Sequence, residues 1–292
     1  MARSYRWRGG GTNAIATVVL AAVVSCVAPI PARAQGASAD PNPGNLTLTA
    51  GIDYTNAYLF RGIPQDDTGV ILWPYGDLGI ALHRGDGAIK SASVSVGMWN
   101  SLHTGVAGLD GLGKLWYESD FYATFGLGLG KGTNVGVTYT AYNSPNNGFL
   151  PVKEISFKVA VDDSGLGRAS VKPYAILARE LEGQADGGAG EGTYLELGAA
   201  PGVIKRPRLS LTVPVRLGLS VSDYYEGANG DERFGFVSVA GVVTVPLSSM
   251  PTRFGTWNVH GGVEFVRLGD RNEAILGARS KVIGSIGIGL SY

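Results

Sequence analysis

The chain contains 292 residues, of which 45 are glycine, three are histidine and one is cysteine, and its 24 basic side chains balance its 24 acidic ones. Charged residues make up 16% of the chain, against about 25% in soluble domains, while 45% of the residues are hydrophobic. This composition excludes a basic nucleic-acid-binding protein, a coiled coil and a disulfide-stabilised scaffold, and it is too apolar for a disordered chain.

The N-terminus has the order of a secretory signal peptide. Three arginines among the first eight residues precede an uncharged apolar run over residues 14–30, and a small-x-small triplet follows at residues 32–34. This order predicts removal of residues 1–34 by cleavage after Ala34, and therefore export of the remainder. One alternative is a retained membrane anchor, for which the run is short; another is lipid attachment at Cys26. Cleavage removes the only cysteine, so a mature disulfide or Cys-ligated metal is not expected.

The rest of the chain is dominated by alternation. No uncharged apolar stretch of about 18 residues follows the signal peptide, so no membrane-spanning helix is predicted. Instead, apolar residues alternate with small or polar ones, most clearly over residues 208–221, where Leu and Val occupy the odd positions. A period of two predicts strands with one apolar face.

These segments predict an all-β fold, a transmembrane antiparallel up-and-down β-barrel. Twelve strands are expected, with ten or fourteen as the alternatives, because the seventh contains Pro173 and the eighth is short. The predicted strands span residues 46–60, 70–83, 90–102, 116–129, 133–142, 153–161, 169–179, 193–200, 208–221, 234–245, 256–267 and 281–292.

The connections between these strands alternate in length. The odd-numbered ones are long and rich in Gly, Asn and Asp, whereas the even-numbered ones are mostly short, with the tenth as an exception. Long loops on one side and short turns on the other are typical of outer-membrane barrels, in which the short turns face the periplasm. The predicted domains are therefore the signal peptide, a short periplasmic segment over residues 35–45 and a barrel over residues 46–292.

Aromatic residues concentrate near the predicted strand ends. One group lies towards the long loops and a smaller group, including Trp257 and Phe254, towards the short turns. This distribution favours two interfacial girdles, although strands are also rich in aromatics for other reasons. The long-loop group comprises Tyr58, Phe60, Trp73, Tyr75, Trp99, Trp116, Tyr117, Tyr142, Tyr224 and Tyr225.

The last predicted strand carries a second feature of such barrels. It alternates to the very end and finishes on Tyr292. A terminal aromatic on an alternating strand resembles the signal that is read by the outer-membrane barrel assembly machinery. That machinery is a predicted partner, together with outer-membrane lipid and lipopolysaccharide.

A family resemblance is present near the first loop. Residues 58–65, Tyr-Leu-Phe-Arg-Gly-Ile-Pro-Gln, resemble the Tyr-x-Phe-Arg-Gly-x-Ser-Gln segment of TorF-type porins, with Pro64 in place of the usual Ser. Further local similarity lies at residues 96–101, 118–122 and 137–157. The resemblance covers residues 45–163 and implies a porin-like outer-membrane barrel without a defined substrate.

Motifs for catalysis or cofactor binding are weak. The glycine-rich stretch at residues 126–133 lacks the spacing of a phosphate loop and predicts a tight turn instead. His83, His103 and His260 are the only histidines, and the four-residue separation of His260 from Glu264 on one strand is about 13 Å, too long for a direct hydrogen bond. No enzyme activity, cofactor or metal is therefore expected.

Charged residues on the predicted inward faces suggest the function. Acidic residues outnumber basic ones there, which predicts either a hydrated, mildly cation-preferring lumen or a barrel plugged by paired charges. Arg61 is expected at the outer mouth, where it would constrict the entrance or hold the first loop against acidic neighbours. The candidate pore-lining residues are Asp53, Arg61, Asp77, Glu118, Asp120, Glu154, Lys158, Glu196, Arg216, His260, Glu264 and Lys281, and Lys172 is a further inward candidate.

The sequence thus predicts a passive outer-membrane porin for small solutes. The alternatives are a non-conducting outer-membrane barrel with a structural, adhesive or lipid-modifying role, and a secreted soluble β-sandwich. The sandwich is disfavoured because its outward face would be polar.

Overall fold

The computed structural model describes residues 44–108, 114–228 and 230–292. The predicted signal peptide, Cys26 and nearly all of the segment 35–45 lie outside the described residues, so the expectations attached to them stay predictions.

The described residues form twelve long strands that run up and down in chain order. Two of the strands are interrupted once and continue after the break. The strands are β1 (Leu46–Thr55), β2 (Ile71–Arg84), β3 (Ile89–His103), β4 (Trp116–Leu129), β5 (Thr133–Asn143), β6 (Val152–Val161), β7 (Tyr174–Glu182), β8 (Thr193–Ala199, continued by Gly202–Arg206), β9 (Leu209–Thr212, continued by Val215–Ser222), β10 (Phe234–Pro246), β11 (Thr256–Leu268) and β12 (Ser280–Ser291).

Each strand pairs antiparallel with its sequence neighbours, and the first strand pairs with the last. At the closure, Asp53 of β1 lies opposite Gly287 of β12, and Ile52 lies opposite Ile288. Closure leaves neither terminal strand with an open edge. The predicted twelve-stranded antiparallel barrel is confirmed.

Several predicted boundaries differ from the structure, among them the end of the eighth strand, which continues to Arg206 instead of stopping at residue 200. The first strand ends at Thr55 instead of continuing to residue 60, because the chain leaves the wall there and turns into the barrel. The seventh begins at Tyr174, directly after Pro173, which has no N–H to donate to a sheet. The ninth is broken between Thr212 and Val215, again at a proline.

The loops carry short elements of their own. The connection after β1 contains a hairpin, Tyr58–Phe60 with Ile63–Asp66, and the one after β9 contains the pair Glu226–Gly227 and Gly230–Asp231. A helix, α1 (Asp270–Leu276), lies between β11 and β12. Among the residues that the structure describes, no helix has the length and apolar character needed to cross a membrane.

The outer face of the barrel is apolar on every strand. The strand register places these side chains side by side around the wall; Val239 lies opposite Phe265, which lies opposite Val282, and Phe157 lies opposite Leu177. Their exposure is high for large apolar side chains, 51% for Phe157 and 56% for Val282. The wall therefore presents a continuous apolar belt to its surroundings.

The interior contains most of the aromatic residues expected in a girdle near the long loops. Tyr58, Trp73, Trp99, Tyr117 and others of that group are almost completely buried inside the barrel. Within this long-loop group, Trp116 alone is clearly exposed. The girdle prediction is wrong for the buried residues, because their side chains follow the inward strand phase or belong to loops that fold inwards.

Small inward residues accommodate these rings. A Cβ added at Gly218 of β9 would overlap the ring of Phe236, which lies opposite it on β10 and is only 1% exposed. Tyr75 covers Gly51 in the same way, and Tyr122 covers Gly97. The inward glycines thus receive large side chains from neighbouring strands.

We expect Gly218→Ala to destabilise the barrel by about 1–3 kcal/mol, because the buried Phe236 ring has no free space into which it can move. The folded fraction on gels of unboiled samples, followed against temperature, measures this loss. Gly241→Ala is the matched control, since no atom lies within 4 Å of a Cβ at that glycine. Equal melting of the two variants would contradict this packing.

Candidate functional site: the closed outer half of the lumen

A hairpin of the first loop lies inside the barrel. We call residues 58–66 the plug hairpin. Its turn is formed by Arg61 and Gly62, with φ values of 49° and 82°, and positive φ at both turn residues suits a tight hairpin. A side chain at Gly62 would collide with Phe236 of β10. The hairpin therefore leaves β1 and enters the lumen, where its tip packs against β10.

Arg61 holds the tip of the plug hairpin. Its Nη1 and Nη2 donate to the two carboxylate oxygens of Glu154 on β6, at 2.6 and 2.8 Å. Nη1 also donates to the Tyr224 hydroxyl at 2.8 Å, and the guanidinium lies 4.3 Å from the ring centroid of Tyr194. The tip is thus held by a bidentate ion pair, which is the strong form of such contacts. Of the two roles expected for Arg61, the structure shows it holding the loop against an acidic neighbour.

The other end of the plug hairpin is held by Asp66. Its Oδ2 contacts Nδ1 of His103 at 2.8 Å and accepts from the Ala107 amide at 3.2 Å, while its Oδ1 accepts from the amide and hydroxyl of Thr68. Burial acts to raise the pKa of Asp66, but the hydrogen bonds from His103, Thr68 and Ala107 hold the pKa below its usual value. A charged carboxylate therefore holds the end of the plug.

His103 continues this chain of contacts into the wall. Its Nε2 lies 2.6 Å from Oγ of Ser101, which also accepts from Nε1 of Trp73 at 2.9 Å. The order Ser101, His103, Asp66 has the connectivity of a hydrolytic triad. Ser101 and His103 are completely buried, however, and Trp73 occupies the far side of the hydroxyl. The arrangement can hold the plug in place but offers a substrate no approach.

Residues of the outer loops complete the closure. The Tyr225 hydroxyl donates to the backbone carbonyl of Arg61 at 2.8 Å, and Nζ of Lys281 lies 2.6 Å from Oδ2 of Asp67. Ile63 packs in a buried cluster with Tyr194, Tyr224, Tyr225 and Phe236. Apolar packing and polar contacts therefore both hold the plug hairpin in place.

The remaining charged residues predicted to face inwards also find partners. Arg216 pairs with Glu264 at 2.6 Å, and Glu196 accepts from the hydroxyls of Tyr174 and Tyr194 at 2.8 and 2.6 Å. His260 contacts Asp53 through Nε2 at 2.8 Å, so its partner is Asp53 and not Glu264. Nζ of Lys158 lies 5.0 Å from the ring centroid of Tyr174, and Asp77 is half-buried beside Ser95 and Tyr122.

Glu118 and Asp120 lie next to each other on β4 and are 4% and 1% exposed. Side-chain hydrogen bonds join Glu118 to Asp120 and to Tyr58 of the plug hairpin. One oxygen of Asp120 has no hydrogen-bond partner among the described residues. A cavity of about 40 Å³ lies beside the pair and is lined by Phe60, Gln65, Glu118, Tyr142, Phe149, Val152, Gln184 and Ala185.

Burial falls steeply towards the short-turn end of the lumen. On β3, Ser101 is fully buried, Ser95 is half-buried and Ser93 is exposed. On β1, Asp53 is fully buried whereas Thr47 is exposed. All of these side chains face inwards in the strand register. The half of the lumen next to the long loops, which we call the outer half, is therefore closed. The half next to the short turns, the inner half, is a polar cup open to solvent.

Four important residues were not among the predicted pore-lining set. Asp66 lies in the first predicted loop, and Ser101 lies near the end of the third predicted strand. Glu180, 2% exposed and opposite Glu154, lies beyond the predicted end of the seventh strand. Tyr194 is a fully buried partner of Glu196. The alternation of residues 174–182 could have identified Glu180; no local signal links Asp66 to His103.

Comparison with known proteins finds solved barrels at low identity. An outer membrane channel from Pseudomonas putida F1 aligns with a TM-score of 0.46 and 8% identity, over 86% of this chain and 97% of that one. The NanC porin aligns with a TM-score of 0.43 and 10% identity, over 83% and 98% of the two chains. The KdgM porin in complex with disordered oligogalacturonate aligns at 0.40 and 8%, over 84% and 99%. No protein-family model and no curated protein sequence matches this chain. The resemblance to TorF-type porins stays a prediction.

We expect Asp66→Asn to loosen the plug hairpin and to lower stability by about 1–3 kcal/mol, because a buried hydrogen-bond acceptor is lost. The pH dependence follows from the lowered pKa. The stabilisation by this carboxylate is present above its unfolded-state pKa, near 3.8, and is lost as the pH falls through the lower folded-state value. Urea unfolding at neutral and acidic pH, with limited proteolysis of the first loop, measures both effects.

Asp86→Asn, at an exposed turn between β2 and β3, is the control for removal of one carboxylate. If both variants unfold at the same urea concentration at neutral pH, then Asp66 does not anchor the plug.

Proposed function

We propose that the protein is a bacterial outer-membrane β-barrel that acts as a passive channel for small solutes. The observation that carries this proposal is the combination of an apolar belt on all twelve strands with a polar interior. A soluble monomer rarely exposes apolar patches beyond a few hundred Å². A closed barrel with this polarity satisfies its backbone hydrogen bonds internally, as a lipid environment requires.

The proposed orientation places the short connections in the periplasm and the plugged end at the cell surface. The N-terminal signal peptide and the terminal Tyr292 support export and insertion by the barrel assembly machinery. Lipid surrounds the belt, and lipopolysaccharide is the expected contact of its outer edge. The solvent-open cup then faces the periplasm.

In this proposal the plug hairpin sets the resting state of the channel. The contacts of Arg61 and Asp66 close the outer half, and release of the hairpin opens a path past β4 and β6. Acidic residues predominate along that path, including Glu118, Asp120, Glu154 and Glu180. A lumen with this charge excess prefers cations once it is hydrated.

A second candidate is a barrel that never conducts. The pairing of Arg61 with Glu154 and of Arg216 with Glu264 favours it, because paired charges can fill a lumen permanently. The buried Ser101 and His103 argue against a hydrolytic role for such a barrel. Conductance of the refolded protein in planar bilayers distinguishes the two candidates.

We expect Phe157→Arg to lower the free energy of unfolding in lipid vesicles by about 2–4 kcal/mol, as for basic residues near the midplane of a barrel's lipid face. Phe157 lies in the middle of β6 and is 51% exposed on the outward face. The neighbouring substitution Ser156→Arg points into the lumen and should be mild. Equal losses at the two positions would show that the belt does not contact lipid.

We expect Arg61→Gln to raise the single-channel conductance in planar bilayers or the fraction of open channels. Loss of the guanidinium leaves Glu154 buried without its partner, which costs about 3–5 kcal/mol and favours release of the plug hairpin. Lys153→Gln is the control, because Lys153 is the neighbour of Glu154 on β6 and its cation belongs to an exposed ion pair with Glu182 of β7.

If neither the wild type nor the folded Arg61→Gln variant conducts, the second candidate is correct. Deletion of residues 58–66 provides an independent test, because it removes the whole plug hairpin together with both of its anchors.

We expect the double variant Glu118→Gln/Asp120→Asn to move the reversal potential of the open channel towards anions. The two carboxylates face the same side of β4, so their removal takes negative charge from the conducting path. The reversal potential across a KCl gradient measures the change, in the background that lacks residues 58–66. Glu182→Gln, an exposed residue at the barrel rim, is the control. An unchanged reversal potential would exclude these carboxylates from the selectivity of the lumen.

A further inference from the structure

The short-turn end of the barrel contains an opening in the wall between two strands. The last register pair between β7 and β8 joins Tyr174 to Gly198, and one more backbone bond links Ala200 to Val171. Beyond that point, Gly202–Arg206 pairs only with Leu209–Thr212 on its other side. A cleft of about 430 Å³ separates this free strand edge from the connection of residues 162–173.

The cleft is basic. Arg168, Lys205 and Arg206 line it, and Arg208 lies two residues beyond the last of them. All four side chains are exposed, and none forms an ion pair with another residue of the described ranges. Lys205 and Arg206 are consecutive on the strand and leave its two faces, so cations flank the free edge on both sides, and Arg168 lines the cleft from the connection. A concave surface with three unneutralised cations is a site for an anion.

The acidic residues beside the cleft are directed elsewhere. The Asp163 carboxylate accepts hydrogen bonds from the Ser170 hydroxyl and from the backbone amides of Val171 and Lys172. Asp162 accepts from the amide and hydroxyl of Ser164. These contacts stabilise the connection itself, so the basic side chains of the cleft are not neutralised by it.

Apolar side chains border the same cleft. Leu166 and Val203 are 64% and 62% exposed, among the highest values for large apolar residues of this chain. Leu197 and Val215, exposed on the adjoining strands, continue this apolar surface into the outward belt. A cationic cleft at the end of an apolar belt matches a molecule with an anionic head and an apolar tail.

The free strand edge adds a further constraint. An unpaired edge is not tolerated in the hydrocarbon of a bilayer, since its N–H and C=O groups find no partner there. Gly202–Arg206 therefore belongs in the headgroup layer. Backbone N–H groups on such an edge can donate to phosphate oxygens alongside the basic side chains.

We propose that this cleft binds the headgroup of an anionic phospholipid from the periplasmic leaflet. The proposal rests on the proposed orientation in the outer membrane but not on conduction through the lumen. Arg168, Lys205 and Arg206 contact the phosphate, and the acyl chains lie along Val203 and the neighbouring belt. One bound lipid covers the free edge and completes the wall between β7 and β8.

The test is a titration of the refolded protein in detergent with palmitoyl-oleoyl phosphatidylglycerol, read by native mass spectrometry. Each Lys or Arg near an anionic lipid strengthens its binding, so the triple variant Arg168→Gln/Lys205→Gln/Arg206→Gln should bind at least about tenfold more weakly. The matched control is Arg84→Gln/Lys90→Gln/Arg253→Gln. It removes three exposed cations from the same end of the barrel, away from the cleft.

A tenfold loss in the cleft variant with at most a twofold loss in the control supports the proposal. Equal losses would show general electrostatic attraction and overturn it, as would binding of phosphatidylcholine as tightly as phosphatidylglycerol. Displacement of the lipid by an equal concentration of inorganic phosphate would assign the cleft to a free anion instead. Bilayer conductance and the Phe157→Arg comparison test the proposed function without involving the cleft. Either proposal can therefore be refuted while the other stands.

Discussion

Closure of the sheet by pairing of its first and last strands is the constraint on which the structure depends. β1 and β12 close the sheet, and this closure divides all strand residues into an outward and an inward set. The outward set forms the apolar belt. The inward polar side chains have to be hydrated or paired. The space between them also has to be filled by water or by other parts of the chain, because a barrel of this size encloses more space than its own glycine- and serine-rich strands occupy. Both the plug hairpin and the network of paired charges follow from that requirement.

The plug hairpin fills the outer half of this space with the residues of a single loop. Arg61 provides a long cationic side chain that reaches Glu154 on the far wall. Asp66 holds the other end of the hairpin against His103 of β3. Because these two anchors lie at opposite ends of the hairpin, loss of either one alone leaves the other in place. None of the described residues forms a comparable insert in the inner half, where serines and threonines are open to water.

Buried polar groups in this barrel are coupled to the position of the plug. Glu118 is bonded to Tyr58 of the hairpin, and Arg61 neutralises Glu154, so the luminal carboxylates and the hairpin stabilise one another. A conformational change that released the hairpin would expose these carboxylates to water at the same time. Closure of the lumen and concealment of its charge are therefore parts of one arrangement.

The sequence by itself determined the strands and their facing. The alternation over residues 46–60, 116–129 and 208–221 depends only on a period of two, so it predicted which side chains point inwards, including Asp53, Glu118 and Arg216. Tertiary structure alone decided which of those residues meet. Asp66 and His103, or Arg61 and Glu154, are separated by many residues and belong to different strands or loops, and no local pattern specifies that a loop folds into the lumen. The same cause explains the misassigned aromatic girdle, since Tyr58 and Tyr224 look like interfacial residues until the loops that carry them are seen to fold inwards.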